Sequence, residues 1–296
     1  MSIHIAKRII SSNDFEKSIG SFFDKSHYTT IIDSDMDIYT EEGTLLLSIR
    51  KNIIPEEISS LGKKIFLKKA KNSKTPNRGI ASGKIDISKV SKNVAEILDE
   101  GNFQSRVKYK DGRISTYKVC NKVNSMIAGY YDGRDISAYK KKDVQHNKGK
   151  GRPTAFTNNF PNEWNQFVPL LQCLDKLYEQ INKEQYEKQK EIVAKSDYLI
   201  SDTIFTTVTI NYNFRTAAHK DKGNLDNANS VFIVCESGSW GGSYLGYPEY
   251  GVCVNVREGD FVLMNPHVYH CNTEITETSK DYSRLSFVIY ARKGLM

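Results

Sequence analysis

Hydrophobic and polar positions divide this chain into three stretches of different texture. Residues 1 to about 60 mix short apolar runs, Thr29 to Ile32 and Leu45 to Ile49, with charge, and carry no chemical motif. From Lys63 to Lys84 the chain is basic and is interrupted by Pro76 and Gly79, which predicts a solvated or phosphate-gripping loop rather than a long helix. Lys140 to Arg152 is a second basic stretch, Gly-rich and of turn composition, and reads as a mobile loop or an internal break. Next, Trp164, Phe167, Val168, Leu171, Leu174, Tyr178 and Ile181 recur at spacings of three and four. That period predicts one amphipathic helix, capped by Asn162 and running to about Lys195, of the kind that braces a sheet. Beyond Ser201 the texture changes to short β-branched and aromatic runs, at Thr203 to Ile210, Ser230 to Glu236, Val252 to Val256, Asp260 to Met264 and Arg284 to Ala291. Gly and Pro turns separate them, so the C-terminal third predicts a barrel or jelly roll.

Composition narrows the class. The 296 residues are 39% hydrophobic and 26% charged, which fits a globular fold and excludes wholesale disorder. No apolar run reaches the roughly 20 residues needed to cross a bilayer, and the first ten residues lack a secretory pattern. The expectation is an intracellular, non-membrane monomer, of cytoplasm or nucleus, with a phage or viral source compatible. The formal charge of +7 permits polyanion binding without requiring it. Five cysteines without a C-x-x-C pair support neither a disulfide framework nor a zinc knuckle.

Candidate chemistry begins at Phe214-Arg-Thr-Ala-Ala-His219-Lys-Asp221. In extended backbone, residues i and i+2 share a face, so His219 and Asp221 can offer an imidazole and a carboxylate to one ion. A third ligand can come from Pro266-His-Val-Tyr-His270, after the apolar run ending at Met264. Two histidines and one carboxylate are the ligand set of non-haem Fe(II) oxygenases, although an isolated H-x-D is more often an ordinary surface pair. In the last strand, alternation sets Leu285, Phe287, Ile289 and Ala291 on one face and Arg284, Ser286, Val288, Tyr290 and Arg292 on the other. That polar row reads either as an edge strand facing water or as a guanidinium and hydroxyl suited to an organic carboxylate.

Taken together, His219-Lys-Asp221, Gly223-Asn224, the run Gly241 to Gly251, Gly259-Asp-Phe-Val-Leu-Met, His267-Val-Tyr-His270-Cys-Asn-Thr and Arg284-Leu-Ser-Phe resemble the TET/JBP (ten-eleven translocation and base-J-binding) Fe(II)/2-oxoglutarate dioxygenases. Upstream, Ser82-Gly-Lys-Ile-Asp, Ala128-Gly-Tyr-Tyr-Asp and Gly151-Arg-Pro-Thr-Ala-Phe-Thr157 look like the same family, especially its J-binding and phage branches. The resemblance runs from about residue 80 to the end.

It implies an α+β fold: a double-stranded β-helix (jelly-roll) core with flanking bracing helices. The expected organisation is a single dioxygenase domain over 1–296, with an extension at 1–80, a helical and basic support region at 80–200 and the core barrel at 201–296. By the same resemblance, His219, Asp221 and His270 hold Fe(II), with His270 preferred over His267 because it directly precedes Cys-Asn-Thr and has the family-like separation from Arg284. Arg284 and Ser286, with Arg152 as a further contact, would hold the cosubstrate 2-oxoglutarate, and O2 would be the second cosubstrate. The implied reaction hydroxylates the C5-methyl of a pyrimidine in DNA, presented flipped out or single-stranded. Asn224, Tyr290 and Arg292 would face the base. Asn224 favours 5-methylcytosine, whereas the sequence as a whole lies nearer the thymine-oxidising branch, and Arg292 stands where animal members have a histidine. Two alternatives stay open: the same chemistry on a protein or free nucleotide, and a catalytically silent DNA-binding module.

Overall fold

A computed structural model describes residues 2–73, 78–83, 123–132 and 151–296. The basic stretch at 140–150, Lys74, Lys84 and the motif beyond Gly83 lie outside the described residues.

Fifteen strands are present among the described residues: β1 (Ile3–Ala6), β2 (Thr30–Ile32), β3 (Met36–Thr40), β4 (Leu45–Arg50), β5 (Ser125–Asp132), β6 (Gly151–Pro153), β7 (Thr207–Tyr212), β8 (Ser230–Ser237), β9 (Gly241–Gly242), β10 (Leu245–Tyr247), β11 (Val252–Val254), β12 (Phe261–Met264), β13 (Cys271–Asn272), β14 (Ile275–Thr276) and β15 (Ser283–Tyr290). Nine form one sheet in the order β1-β3-β4-β12-β8-β15-β7-β5-β6, and four form a second in the order β13-β10-β11-β2. Alternation along the strands builds two cores from one large sheet. Val231, Ile233 and Cys235 of β8 and Leu285, Phe287 and Ile289 of β15 meet the helices. Phe232 and Val234 of β8, with Val262 and Met264 of β12, meet Leu245, Tyr247, Val252 and Val254 of the small sheet. The result is an α+β fold with a double-stranded β core flanked by helices.

The runs near residues 30 and 45 are structural. They form β2, which pairs in parallel with β11, and β4, which pairs with β12, so the N-terminal segment contributes strands to both sheets.

Three helical expectations need correction. The basic stretch from Lys63 does enter a long helix, Glu56–Asn72, because Pro76 and Gly79 lie beyond its end. Ile65, Phe66 and Ala70 bury one side while Lys64 and Lys68 face solvent. The following periodic segment is two helices, Pro161–Ile181 and Lys183–Val193. Pro161 rather than Asn162 opens the first, its missing N–H being one that no first-turn residue would bond within the helix. Asn182 caps the second, accepting from the backbone N–H of Gln185 at 3.1 Å, which divides the helix at a residue whose side chain competes with the backbone. Among the described residues no helix is long and apolar enough to cross a membrane.

Candidate iron and 2-oxoglutarate site

A cavity of about 790 Å³ carries the predicted chemistry on its walls. His219 and His270 face each other through a reciprocal backbone pair, N–H to carbonyl at 3.1 and 3.0 Å. The Asp221 N–H donates to the Pro266 carbonyl at 2.9 Å, which fixes the carboxylate beside them. Asp221 Oδ1 lies 3.4 Å from His219 Nε2 and its Oδ2 lies 3.7 Å from His270 Nε2. One potential ligand atom from each of the three residues falls within 4.8 Å of the others. Each imidazole uses Nδ1 on a backbone carbonyl, Ala217 at 2.8 Å and Val268 at 2.9 Å. That bond sets the tautomer and leaves the Nε2 lone pairs turned to the common point.

Electrostatics suit a cation there. Burial opposes charge on Asp221, yet His219, His270 and Arg78 overcome it and hold the carboxyl at about 2. Burial, with His219 nearby, lowers His270 to about 4, so its imidazole is neutral and able to coordinate. His267 is elsewhere, with Nε2 3.0 Å from the Leu225 carbonyl and outside the three-residue cluster.

β15 supplies the adjoining wall. It is central, between β8 and β7, so the edge-strand alternative for its polar face does not hold. Ser286, Val288 and Tyr290 line the cavity, with Thr209 and Asn211 of β7 beside them. Arg284 shares this face and is 1% exposed. Its guanidinium lies 5.8 Å from the Phe232 ring centroid and 5.6 Å from that of Trp240. Among the described residues its three nitrogens have no hydrogen-bond partner, and burial lowers its pKa to about 10. A buried cation without an acceptor is costly, so the chemistry of this donor set fits an anionic ligand that completes it. The three metal-type donors and this guanidinium therefore fit Fe(II) and a carboxylate cosubstrate.

Asn224, Tyr290 and Arg292 also line the cavity. Asn224 is held by donation from Nδ2 to Ser230 Oγ at 2.6 Å, and Arg292 meets Asp132. Arg152 stands apart from these residues. It is exposed on β6, the outermost strand, opposite Tyr131, and does not line the cavity. Sequence reasoning missed Asn211, and it quoted Tyr131 and Asp132 within the Ala128-Gly-Tyr-Tyr-Asp motif without giving either a role. Arg78, read only as part of a basic run, lines the cavity and donates to Ser125 Oγ at 2.6 Å.

The family profile described as the oxygenase domain of the 2OGFeDO superfamily, Tet_JBP, matches residues 127–293. The chain belongs to the TET/JBP family. Thymine dioxygenase JBP1 of Trypanosoma brucei brucei is 34% identical over 174 residues, which cover 58% of this chain and 19% of that protein. The bifunctional helicase and thymine dioxygenase JBP2 of Leishmania braziliensis is 34% identical over 170 residues, 57% of this chain and 14% of that protein. The match thus spans under a fifth of the length of these TET/JBP relatives. NgTET1, solved in complex with 5mC DNA, has a TM-score of 0.53 and 13% identity, covering 97% of this chain and 92% of that one, which places the fold.

Proposed function

We propose that this TET/JBP chain is an Fe(II)/2-oxoglutarate dioxygenase that hydroxylates the C5-methyl of a pyrimidine in DNA. The observation that carries this reading is one cavity lined by His219, Asp221, His270 and Ser286, with Arg284 buried two residues along the same face of β15, packed on the Phe232 ring that also lines the cavity and without a hydrogen-bond acceptor among the described residues. His219, Asp221 and His270 would hold the iron, and Arg284 with Ser286 would take the distal carboxylate of 2-oxoglutarate. When bound, iron with 2-oxoglutarate and O2 supplies the oxidising power to place a hydroxyl on an unactivated methyl group.

The chain's own residues position and screen. Phe232, Leu245, Met264 and Val288 make the inner cavity apolar and limit water near the reacting methyl. A methyl group stacked in a duplex cannot enter such a cavity, so the base is flipped out or offered single-stranded. Asn224, Tyr290 and Arg292 form the wall the base would meet. We read the strands of the N-terminal segment, shared by both sheets, as part of one catalytic unit that acts as a monomer.

For the base, we favour 5-methylcytosine on Asn224, whose amide can both donate and accept. Thymine is the second reading, supported by 34% identity to proteins named thymine dioxygenases. Nucleoside mass spectrometry after reaction with paired 5-methylcytosine and thymine oligonucleotides, single- and double-stranded, tests both. The expected product is a hydroxymethyl base, more from 5-methylcytosine, with a ratio that moves on Asn224→Asp. Succinate released without any oxidised base would contradict a DNA substrate, and an unmoved ratio would remove Asn224 from base reading.

A further inference from the structure

Arg292 is a cation held at both ends of its guanidinium, tightly by a carboxylate and loosely by a phenol. Nε and Nη2 both donate to Oδ2 of Asp132 at the end of β5, at 2.8 and 2.5 Å. The guanidinium carbon lies 4.0 Å from the Tyr131 ring centroid. Nη1 donates to the Tyr290 hydroxyl at 3.4 Å, a long bond that uses one of its two N–H groups, on a side chain that lines the cavity. Two glycines make room for this pair. A Cβ at Gly223 would lie 3.1 Å from Nη1, and one at Gly294 would lie 2.1 Å from Asp132 Oδ1. Asn224, next to Gly223, is itself fixed by Ser230.

A free arginine on a DNA enzyme's wall would have rotamer freedom and a net charge, and both favour phosphate over a base edge. Here the carboxylate balances the charge, while the fork and the ring fix the plane, so what remains is a single oriented donor. We propose that Asp132 is a positioning residue for base selection: it holds Arg292 so that Nη1 donates to the ring N3 of 5-methylcytosine, an acceptor that thymine replaces with an N–H, beside Asn224. This rests on the pyrimidine-hydroxylase reading above. Tyr131 supports the guanidinium face, and Gly223 and Gly294 keep the approach open.

The test is Asp132→Asn in the full chain, which keeps the size and removes the charge. Three readouts apply: the kcat/KM ratio between 5-methylcytosine and thymine oligonucleotides, the KM-against-kcat split, and the salt dependence of oligonucleotide binding. Iron and 2-oxoglutarate affinities on the same protein serve as the fold control. Discrimination should fall roughly tenfold, mainly through KM, and the log–log salt slope should steepen by about one as a cation is released to phosphate. Should Asp132→Asn not fold, Arg292→Lys keeps the charge, loses the fork, and should show the same loss of discrimination. A folded variant with an unchanged base ratio would overturn the positioning role alone, whatever its salt slope, since a merely structural ion pair would free the cation without moving the ratio. A wild-type protein that oxidises no base would instead overturn the functional reading, and this proposal with it.

Discussion

Arg284 combines full charge with nearly complete burial, a pairing that folded proteins tolerate only where an anion is to be received. Removing one half of a buried charge pair costs about 2–5 kcal/mol, so Arg284→Leu should raise the 2-oxoglutarate Kd by roughly 30-fold or more. Isothermal titration of iron-loaded, oxygen-free protein measures this, and an unchanged Kd would remove Arg284 from cosubstrate binding. A second residue-scale prediction separates the two histidines of the Pro266 turn. His267→Ala should leave iron affinity within about twofold, because its ring bonds the Leu225 carbonyl outside the cluster. Most of this site was legible from local spacing: H-x-D, the second histidine, and alternation placing Arg284 with Ser286. The roles of Asp132, Tyr131 and Asn211 were not, because only strand pairing sets β5 beside β7 and Asn211 opposite Ser286. The motif around Arg152 says nothing of its place on an outer strand, which only the sheet order gives.

Among the elements, the helix Glu56–Asn72 lies close on the large sheet because it crosses at a glycine. A Cβ at Gly62 would come within 2.7 Å of Cys235 Sγ and 2.9 Å of Phe287 Cζ. Gly62→Val should therefore destabilise the fold by about 1–3 kcal/mol, read as a lower urea midpoint. A midpoint equal to wild type would mean that the helix packs more loosely than this contact requires. Strands of the C-terminal third were legible because β-branched runs and Gly–Pro turns mark them within about four residues of their observed bounds. The N-terminal strands were silent, since short apolar runs gain meaning only from their partners, β11 and β12. The basic helix was hidden by attention to Pro76, although Ile65, Phe66 and Ala70 already stand at helical spacing.

At the scale of the molecule, the cations on the covering helix stand apart from those that line the cavity, Arg78, Lys220, Lys222 and Arg292. Lys64 and Lys68 sit on the helix that covers the sheet's oily face, while the cavity opens from the other face. A packed layer is about 10 Å thick, comparable to the Debye length at physiological salt. The double substitution Lys64→Glu, Lys68→Glu should thus change DNA affinity by less than about threefold at 150 mM salt. A tenfold loss in fluorescence anisotropy would place DNA on the helical face instead. The whole reading depends on three side chains, His219, Asp221 and His270, meeting at one iron. Oxygen-free Fe(II) titration of wild type, His219→Ala, Asp221→Ala, His270→Ala and His267→Ala tests it directly. One tightly bound iron per chain is expected in wild type and His267→Ala, with affinity lost in the other three. Undiminished iron binding by Asp221→Ala and His270→Ala would contradict the metal site on which the oxygenase chemistry depends.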